Sequence, residues 1–179
     1  MTYEYRQLDI TPTMHAQLID LYQRCYAAPP WSETPEQLNG YPANLAASME
    51  RPGFIAHTAS DDAGRLVGVC YGWPTPADLT GNHVYDTLIK TFGLDATTAL
   101  TRDAFEVVEL FIHPDHQGQG IGRNLLTQAT GSWPTAWLIT SPQAPAAVLY
   151  RKLGWQEAGD LPTDFHPQLK LSVFALPRG

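Results

Sequence analysis

The stretch Phe105–Leu126, FEVVELFIHPDHQGQGIGRNLL, decides the fold of this chain. Its first eight residues are largely apolar and rich in strand-forming side chains, which predicts a buried strand. The run HPDHQGQG follows, and the next residues place Ile121, Leu125 and Ala129 on one face of a helix. A strand that enters a helix through glycines leaves backbone N–H groups without partners at the positive end of the helix dipole. The segment therefore predicts an anion site, most simply one for phosphate.

The spacing of these glycines excludes two familiar nucleotide motifs. Glycine stands at positions 118, 120 and 122, where it permits positive φ and a close approach of a ligand to the backbone. A dinucleotide fingerprint would need glycine where Arg123 stands, and the P-loop sequence G-K-[ST] is absent. A tight turn from strand to helix without any ligand stays as the alternative.

Strand and helix patterns alternate on both sides of this stretch. The predicted strands lie at 3–8, 54–58, 66–73, 105–112 and 136–140, and in the segments WQEAG and LKLSVFAL. The predicted helices begin at Thr11-Pro12, at 121 and at 144, with two short helices or a kinked one over 32–49. An insertion over about 74–103 carries one helical pattern that ends at Gly93, and we expect it to form a flap. This order predicts a single α/β (α+β) domain over residues 1–179, without linker or repeat.

Composition narrows the class of protein. The chain has 179 residues, 44% of them hydrophobic, which suffices for one domain with a core. Its formal net charge of −7 opposes binding to nucleic acid. The longest uncharged stretch, 124–150, holds three prolines and many polar residues, so we expect no membrane span. The start of the chain has no leader pattern, and Cys25 and Cys70 have neither metal nor disulfide spacing, which favours a cytoplasmic protein.

Two segments together resemble one family. QGQGIG at 117–122 fits Q/R-x-x-G-x-G/A, the pyrophosphate-binding motif of the GNAT superfamily of acyl-CoA N-acyltransferases. The segment APAAVLYRKLGWQ at 144–156 is similar to the second signature of that family. The signatures occur in the right order, and the resemblance in element order extends from Tyr3 to Leu176.

The resemblance implies a fold and a co-substrate. It implies a mixed, mostly antiparallel sheet of about seven strands with helices on both faces, in which strands four and five splay apart. Acetyl-CoA would be the co-substrate, with its pantetheine arm on the backbone of Leu110, Phe111 and Ile112. The implied pyrophosphate loop comprises Gln117, Gly118, Gln119, Gly120, Ile121, Gly122 and Arg123. Gln143 stands where the family often has asparagine and is also assigned to coenzyme A. No metal is expected, because His113 and His116 have no third ligand of fitting spacing.

Amide formation needs a base for the ammonium and an acid for the departing thiolate. Tyr150 matches the general acid of the family, and its alternative is an aromatic residue packed on one helical face. Glu106 on the fourth strand is the first candidate for the base, and Glu109 is the second. By strand alternation the two carboxylates lie on opposite faces unless a bulge turns one of them. A salt bridge or a backbone N–H acceptor at the margin of the sheet is the alternative role for Glu106.

The acceptor is expected to be a small amine, delivered as a cation to an acidic protein. By resemblance, Trp31, Tyr71 and Trp73 line its pocket, although hydrophobic packing explains them equally well. The predicted reaction is transfer of an acetyl group from acetyl-CoA to a primary amine. A catalytically silent acyl-CoA sensor and a protein N-acetyltransferase are the alternatives, and a homodimer stays open. No G-x-S-x-G elbow is present, which argues against an esterase.

Overall fold

The computed structural model describes residues 1–177. Its strands are β1 (Glu4–Leu8), β2 (Ile55–Ser60), β3 (Leu66–Pro74), β4 (Ala104–Ile112), β5 (Thr135–Thr140), β6 (Gln156–Asp160) and β7 (Ser172–Leu176). They hydrogen-bond in the order β1-β2-β3-β4-β5-β7-β6, which forms a seven-stranded mixed sheet. The predicted fold class is confirmed.

The helices follow the predicted start signals closely. They are α1 (Pro12–Tyr26), α2 (Pro35–Asn39), α3 (Tyr41–Met49), α4 (His83–Phe92), α5 (Leu94–Thr101), α6 (Ile121–Thr130) and α7 (Pro145–Lys152). The Thr11 hydroxyl caps α1, with Pro12 in its first turn, as the sequence predicts. Gly40 separates α2 from α3, so the segment 32–49 forms two short helices. Within residues 1–177 no helix is both long and apolar enough to cross a membrane.

The chain divides into two compact units. The first comprises Met1–Trp73 and Val107–Ser132, and the second comprises Pro74–Glu106 together with the chain from Trp133 onward. Strand β4 contributes to both units. The single domain over 1–179 stays a prediction from the sequence.

In the first unit, helices cover both faces of the strands. β1, β2 and β3 form two antiparallel pairs. Val69 and Tyr71 on β3 belong to a core built with α1 and α3. Gly68 points to the opposite face, where a Cβ atom would lie 2.9 Å from Ile112 Cδ1 and 3.1 Å from Ile121 Cγ2. Glycine at this position therefore lets the first turn of α6 pack directly on β3.

The second unit contains the antiparallel strands β5, β7 and β6 together with the insertion. The sequence predicted one helix in the insertion, but the structure has two, α4 and α5. Gly93 ends α4 as predicted, at φ +89°, and α5 begins at the next residue. The second helix was missed because its sequence LDATTALT contains three threonines, which are weak helix formers.

Candidate active site

The glycine-rich loop of the first unit has the backbone geometry of an anion cradle. Gly118 and Gly120 have φ of +76° and +82°, and Gly120 is the left-handed N-cap of α6. No side chain caps this helix, so its first N–H groups point outward without an intrahelical acceptor. A Cβ atom at position 118 or 120 would meet no atom within 4 Å. The loop is therefore an open cradle at the positive end of a ten-residue helix.

The remaining residues of the predicted loop lie around this cradle. Gln117, Gln119 and Arg123 are exposed, whereas Ile121 is buried. Gly122 lies within α6. Of the three glycines, only Gly118 and Gly120 have positive φ.

The segment before the glycines is held by its histidines. His113 donates its backbone N–H to the carbonyl of Val67 on β3 (2.8 Å), and its Nδ1 accepts from the N–H of Asp115 (3.1 Å). The Nδ1 atom of His116 lies 3.0 Å from the Tyr3 hydroxyl. These contacts tie the 3-10 turn Pro114–His116 to the sheet. In the described part of the chain, no group of three or more His, Cys, Asp or Glu side chains is arranged for a metal ion.

At the end of β4, one backbone carbonyl already accepts hydrogen bonds from side chains. The carbonyl of Ile112 accepts hydrogen bonds from Cys25 Sγ (3.1 Å) and from Gln117 Nε2 (3.4 Å). Burial raises the pKa of Cys25 to about 12, which keeps this thiol protonated as a donor. Phe111 is buried in the core, and Leu110 is half-buried.

Glu109 is a half-buried carboxylate surrounded by hydroxyl groups and aromatic rings. Its Oε2 accepts a hydrogen bond of 2.6 Å from the Tyr26 hydroxyl. Burial raises the pKa of Glu109 to about 7, the Tyr26 hydrogen bond opposes that rise, and the negative charge of Glu33 adds to it. A carboxylate with a pKa in this range can accept a proton at neutral pH.

Three stacked tyrosines line this part of the first unit. The ring of Tyr22 lies between Tyr26 and Tyr41, with centroid distances of 4.2 and 3.8 Å. The Tyr22 hydroxyl donates to both carboxylate oxygens of Glu33, at 2.8 and 3.0 Å. Trp31 packs edge-on against Tyr26 at 5.4 Å. The cluster thus combines two half-buried carboxylates with several aromatic faces.

The other two predicted acceptor residues lie deeper in the first unit. Tyr71 is 1% exposed and shares a hydrogen bond of 2.9 Å with the Tyr41 hydroxyl. Trp73 is 6% exposed, and the Arg51 guanidinium lies 4.4 Å from the centroid of one of its rings. Both residues therefore have packing roles, and Trp31 is the most accessible of the three predicted residues.

Glu106 lies in the second unit, in a different environment. It is 7% exposed, and its Oε1 accepts from the Tyr85 hydroxyl (2.7 Å) and from Thr75 Oγ1 (3.1 Å). The indole N–H of Trp137 donates in turn to Thr75 Oγ1 (2.9 Å). Within the second unit this network joins Tyr85 on α4, Thr75, Glu106 on β4 and Trp137 on β5, so Glu106 has a structural role as a buried acceptor.

Tyr150 also lies in the second unit, on α7. Its side chain is 4% exposed and its ring lies 5.7 Å from Trp155 and 6.1 Å from Phe174. Gln143 precedes α7, is exposed, and donates its backbone N–H to Ser141 Oγ (3.3 Å). The Tyr150 ring therefore packs in the second unit, which is the alternative role that the sequence leaves open for this residue.

Sequence reasoning assigned no site role to four members of the cluster around Glu109, which are Tyr22, Tyr26, Glu33 and Tyr41. The spacing of Tyr22 and Tyr26 could have indicated that their rings meet, because side chains four residues apart are neighbours on a helix. Glu33 lies outside any regular element, where no periodicity applies. Its contact with Tyr22 emerges only from the folded chain.

A family model places these features in context. The model described as "Acetyltransferase (GNAT) domain" matches residues 53–157, which include the glycine loop and Tyr150. The protein is thus an acyl-CoA-dependent acetyltransferase by class, and members of the class use acetyl-CoA. The chain belongs to the GNAT acetyltransferase family. A comparison with curated proteins found no significant match in sequence.

Solved structures agree on the fold. The ribosomal-protein-S18-alanine N-acetyltransferase from Escherichia coli is 18% identical with a TM-score of 0.66, over 99% of this chain and 95% of that one. The NatC complex bound to Gag peptide and CoA contains a chain that is 16% identical with a TM-score of 0.66, over 100% of both chains. Spermidine/spermine N-acetyltransferase SpeG from Vibrio cholerae is 16% identical with a TM-score of 0.57, over 97% of this chain and 91% of that one. At these identities the likeness establishes the fold alone.

Proposed function

We propose that this protein transfers an acetyl group from acetyl-CoA directly to the primary amine of a small cationic acceptor, with Glu109 as the base. The observation that carries the proposal is the environment of Glu109, whose carboxylate is half-buried, held by Tyr26 and has a pKa near 7. Such a group is ionised in part at neutral pH and is still basic enough to take a proton from an ammonium ion.

Two unpaired cysteines, Cys25 and Cys70, support a cytoplasmic location.

The chemistry requires two proton transfers by the chain. Acetyl-CoA, when bound, supplies a thioester whose carbonyl carbon the amine attacks. Glu109 accepts the proton that the ammonium group must lose before it can attack. Tyr150 holds the proton that the departing sulfur requires, a role that rests on its match to the family signature.

The structure supports Glu109 over Glu106, the first candidate from the sequence. Glu106 already accepts two hydrogen bonds on one oxygen inside a buried network. Withdrawing it from that network for proton transfer would break both of these buried hydrogen bonds. Glu109 has a single tyrosine donor and is partly open to solvent. It can therefore exchange a proton without dismantling its surroundings.

A cationic acceptor fits the cluster around Glu109. Within residues 1–177, neither Glu109 nor Glu33 takes part in an ion pair with a basic side chain. Aromatic faces such as those of Tyr26 and Trp31 attract ammonium groups through their quadrupoles. The net charge of −7 favours the approach of a cation as well.

Coenzyme A is proposed to bind at the glycine loop. The open cradle at Gly118 and Gly120 and the uncapped start of α6 fit a pyrophosphate group, and the exposed Arg123 can add a charged donor. The pantetheine arm would pair with the backbone of Leu110 and Phe111. The Ile112 carbonyl is the weaker candidate, since it already has two donors.

Gly120→Trp is expected to weaken coenzyme A binding by about tenfold or more, measured by titration calorimetry. The indole would stand over the N–H groups at the start of α6, and φ of +82° is strained for any residue with a Cβ atom. Gly64→Trp is the matched control, because Gly64 has φ of +77° and equally open surroundings but lies in the hairpin turn. A folded Gly120→Trp protein with wild-type affinity would refute the phosphate assignment.

The proposed function is tested by release of free coenzyme A from acetyl-CoA across a panel of acceptors. The panel contains small primary monoamines, diamines and short peptides with free N-termini. Small cationic amines are expected to accelerate release at least tenfold over the acceptor-free rate. Acetylation of peptides alone would indicate a protein N-acetyltransferase. Binding of acetyl-CoA without release on any acceptor would indicate a sensor.

A further inference from the structure

The carboxylate of Glu33 takes no part in the two proton transfers above, yet it lies in the same cluster as Glu109. It is half-buried, and the Tyr22 hydroxyl donates to both of its oxygens. Tyr22 and Tyr26 lie one helical turn apart on α1 with stacked rings at an interplanar angle of 28°. The Tyr22 hydroxyl therefore holds Glu33, and the Tyr26 hydroxyl holds Glu109.

We propose that Glu33 is a positioning residue for the base: its negative charge, held in the cluster by the Tyr22 hydroxyl, makes Glu109 a stronger proton acceptor and sets the pH range of acetyl transfer. This inference rests on the proposed function, because it assigns the base role to Glu109. Glu33 acts on the reaction through the proton affinity of Glu109.

A second negative charge in the same partly desolvated cluster disfavours ionisation of Glu109, so the Glu109 carboxyl holds its proton more tightly. Burial raises the pKa of Glu33, and its charge contributes to the raised pKa of Glu109. Neither carboxylate has a basic partner among the ion pairs of residues 1–177 that would cancel this repulsion.

The other groups around Glu109 do not titrate in the same range. Besides Tyr26 and Glu33, the titratable groups that interact with its charge come from α1, α3 and β3. They are Tyr22, Cys25, Tyr41, Cys70 and Tyr71. Burial raises the pKa of every one of them, so all stay neutral near pH 7. Glu33 is therefore the one charged neighbour in this described set that can tune Glu109 near neutral pH.

The local geometry allows the charge to be removed without removing the contact. In Glu33→Gln, the amide oxygen can still accept from the Tyr22 hydroxyl, so the stacked rings keep their support. Glu33→Asp keeps the charge with a shorter side chain. Tyr22→Phe keeps the ring stack but removes the donor that holds Glu33. Glu36→Gln removes an exposed charge three residues away, on α2, and serves as the matched control.

The test is a carbon-13 carboxyl NMR titration of Glu109 in the free protein, followed by a pH profile of kcat/KM. Glu33→Gln is expected to lower the Glu109 midpoint and the acid limb of the profile together, by about 0.5 to 1 pH unit. Tyr22→Phe should give a smaller change in the same direction. Glu33→Asp and Glu36→Gln should stay close to wild type.

An unchanged Glu109 midpoint in folded Glu33→Gln protein would overturn the inference. An equal change in Glu36→Gln would also overturn it, because the effect would then be one of general charge. The NMR titration needs no acceptor, so it decides the coupling even if no amine on the panel reacts. Failure of the proposed function and failure of this inference are therefore separable.

Discussion

Glu109→Gln is expected to lower kcat/KM for the best amine acceptor by about 100- to 10,000-fold, the usual contribution of a general base. The amide keeps the size of the side chain and an oxygen for the Tyr26 hydroxyl, so the loss reports the missing proton acceptor. For the wild-type protein, kcat/KM should rise with pH through about 7 as Glu109 ionises. The variant should lack this limb of the profile.

Glu106→Gln is the matched control for this experiment. It is an equivalent change on the same strand, in a carboxylate that accepts hydrogen bonds from Tyr85 and Thr75. Its pH profile should follow wild type, even if its thermal stability falls. A profile that flattens with Glu106→Gln and persists with Glu109→Gln would assign the base to Glu106 instead.

The same Glu109→Gln variant should be more stable than wild type at alkaline pH. The folded pKa of Glu109 is raised from the ordinary value of 4.5 to about 7. This carboxyl therefore contributes stability that is fully present below about pH 4.5 and is lost as pH rises through 7. Urea unfolding at pH 8.5 should show a gain on the order of 1–3 kcal/mol, and unfolding near pH 4 should show little difference.

Tyr150→Phe is expected to lower kcat by about 10- to 100-fold with little change in coenzyme A affinity, the pattern of an interaction made mainly in the transition state. Phenylalanine keeps the ring and its contacts with Trp155 and Phe174, so the packing is preserved. Steady-state kinetics and calorimetry with coenzyme A measure the two quantities separately.

Tyr85→Phe provides the control for loss of a buried hydroxyl. Tyr85 is also buried in the second unit, and its hydroxyl donates to Glu106. This variant should lose stability and keep most of its kcat. If kcat of Tyr150→Phe stays within twofold of wild type, Tyr150 is a packing residue and another group protonates the sulfur.

Local features of the fold were predictable because they depend on neighbours in sequence. The Thr11 cap, the Gly93 stop and the positive φ of Gly118 and Gly120 each follow from the chemistry of one or two residues. The strand before the glycines follows from its apolar pattern. The second helix of the insertion was missed because its polar, threonine-rich sequence has weak intrinsic preference.

The sequence by itself determined the family, the order of the strands along the chain and the glycine cradle, since each is written in contiguous residues. Only the tertiary structure distinguished Glu109 from Glu106. Alternation along β4 separates their faces but does not reveal what each face meets. Tyr26 reaches Glu109 across 83 positions of sequence, while Tyr85 from the insertion holds Glu106. The proton affinity of a carboxylate depends on its burial and partners, and chain folding decides both.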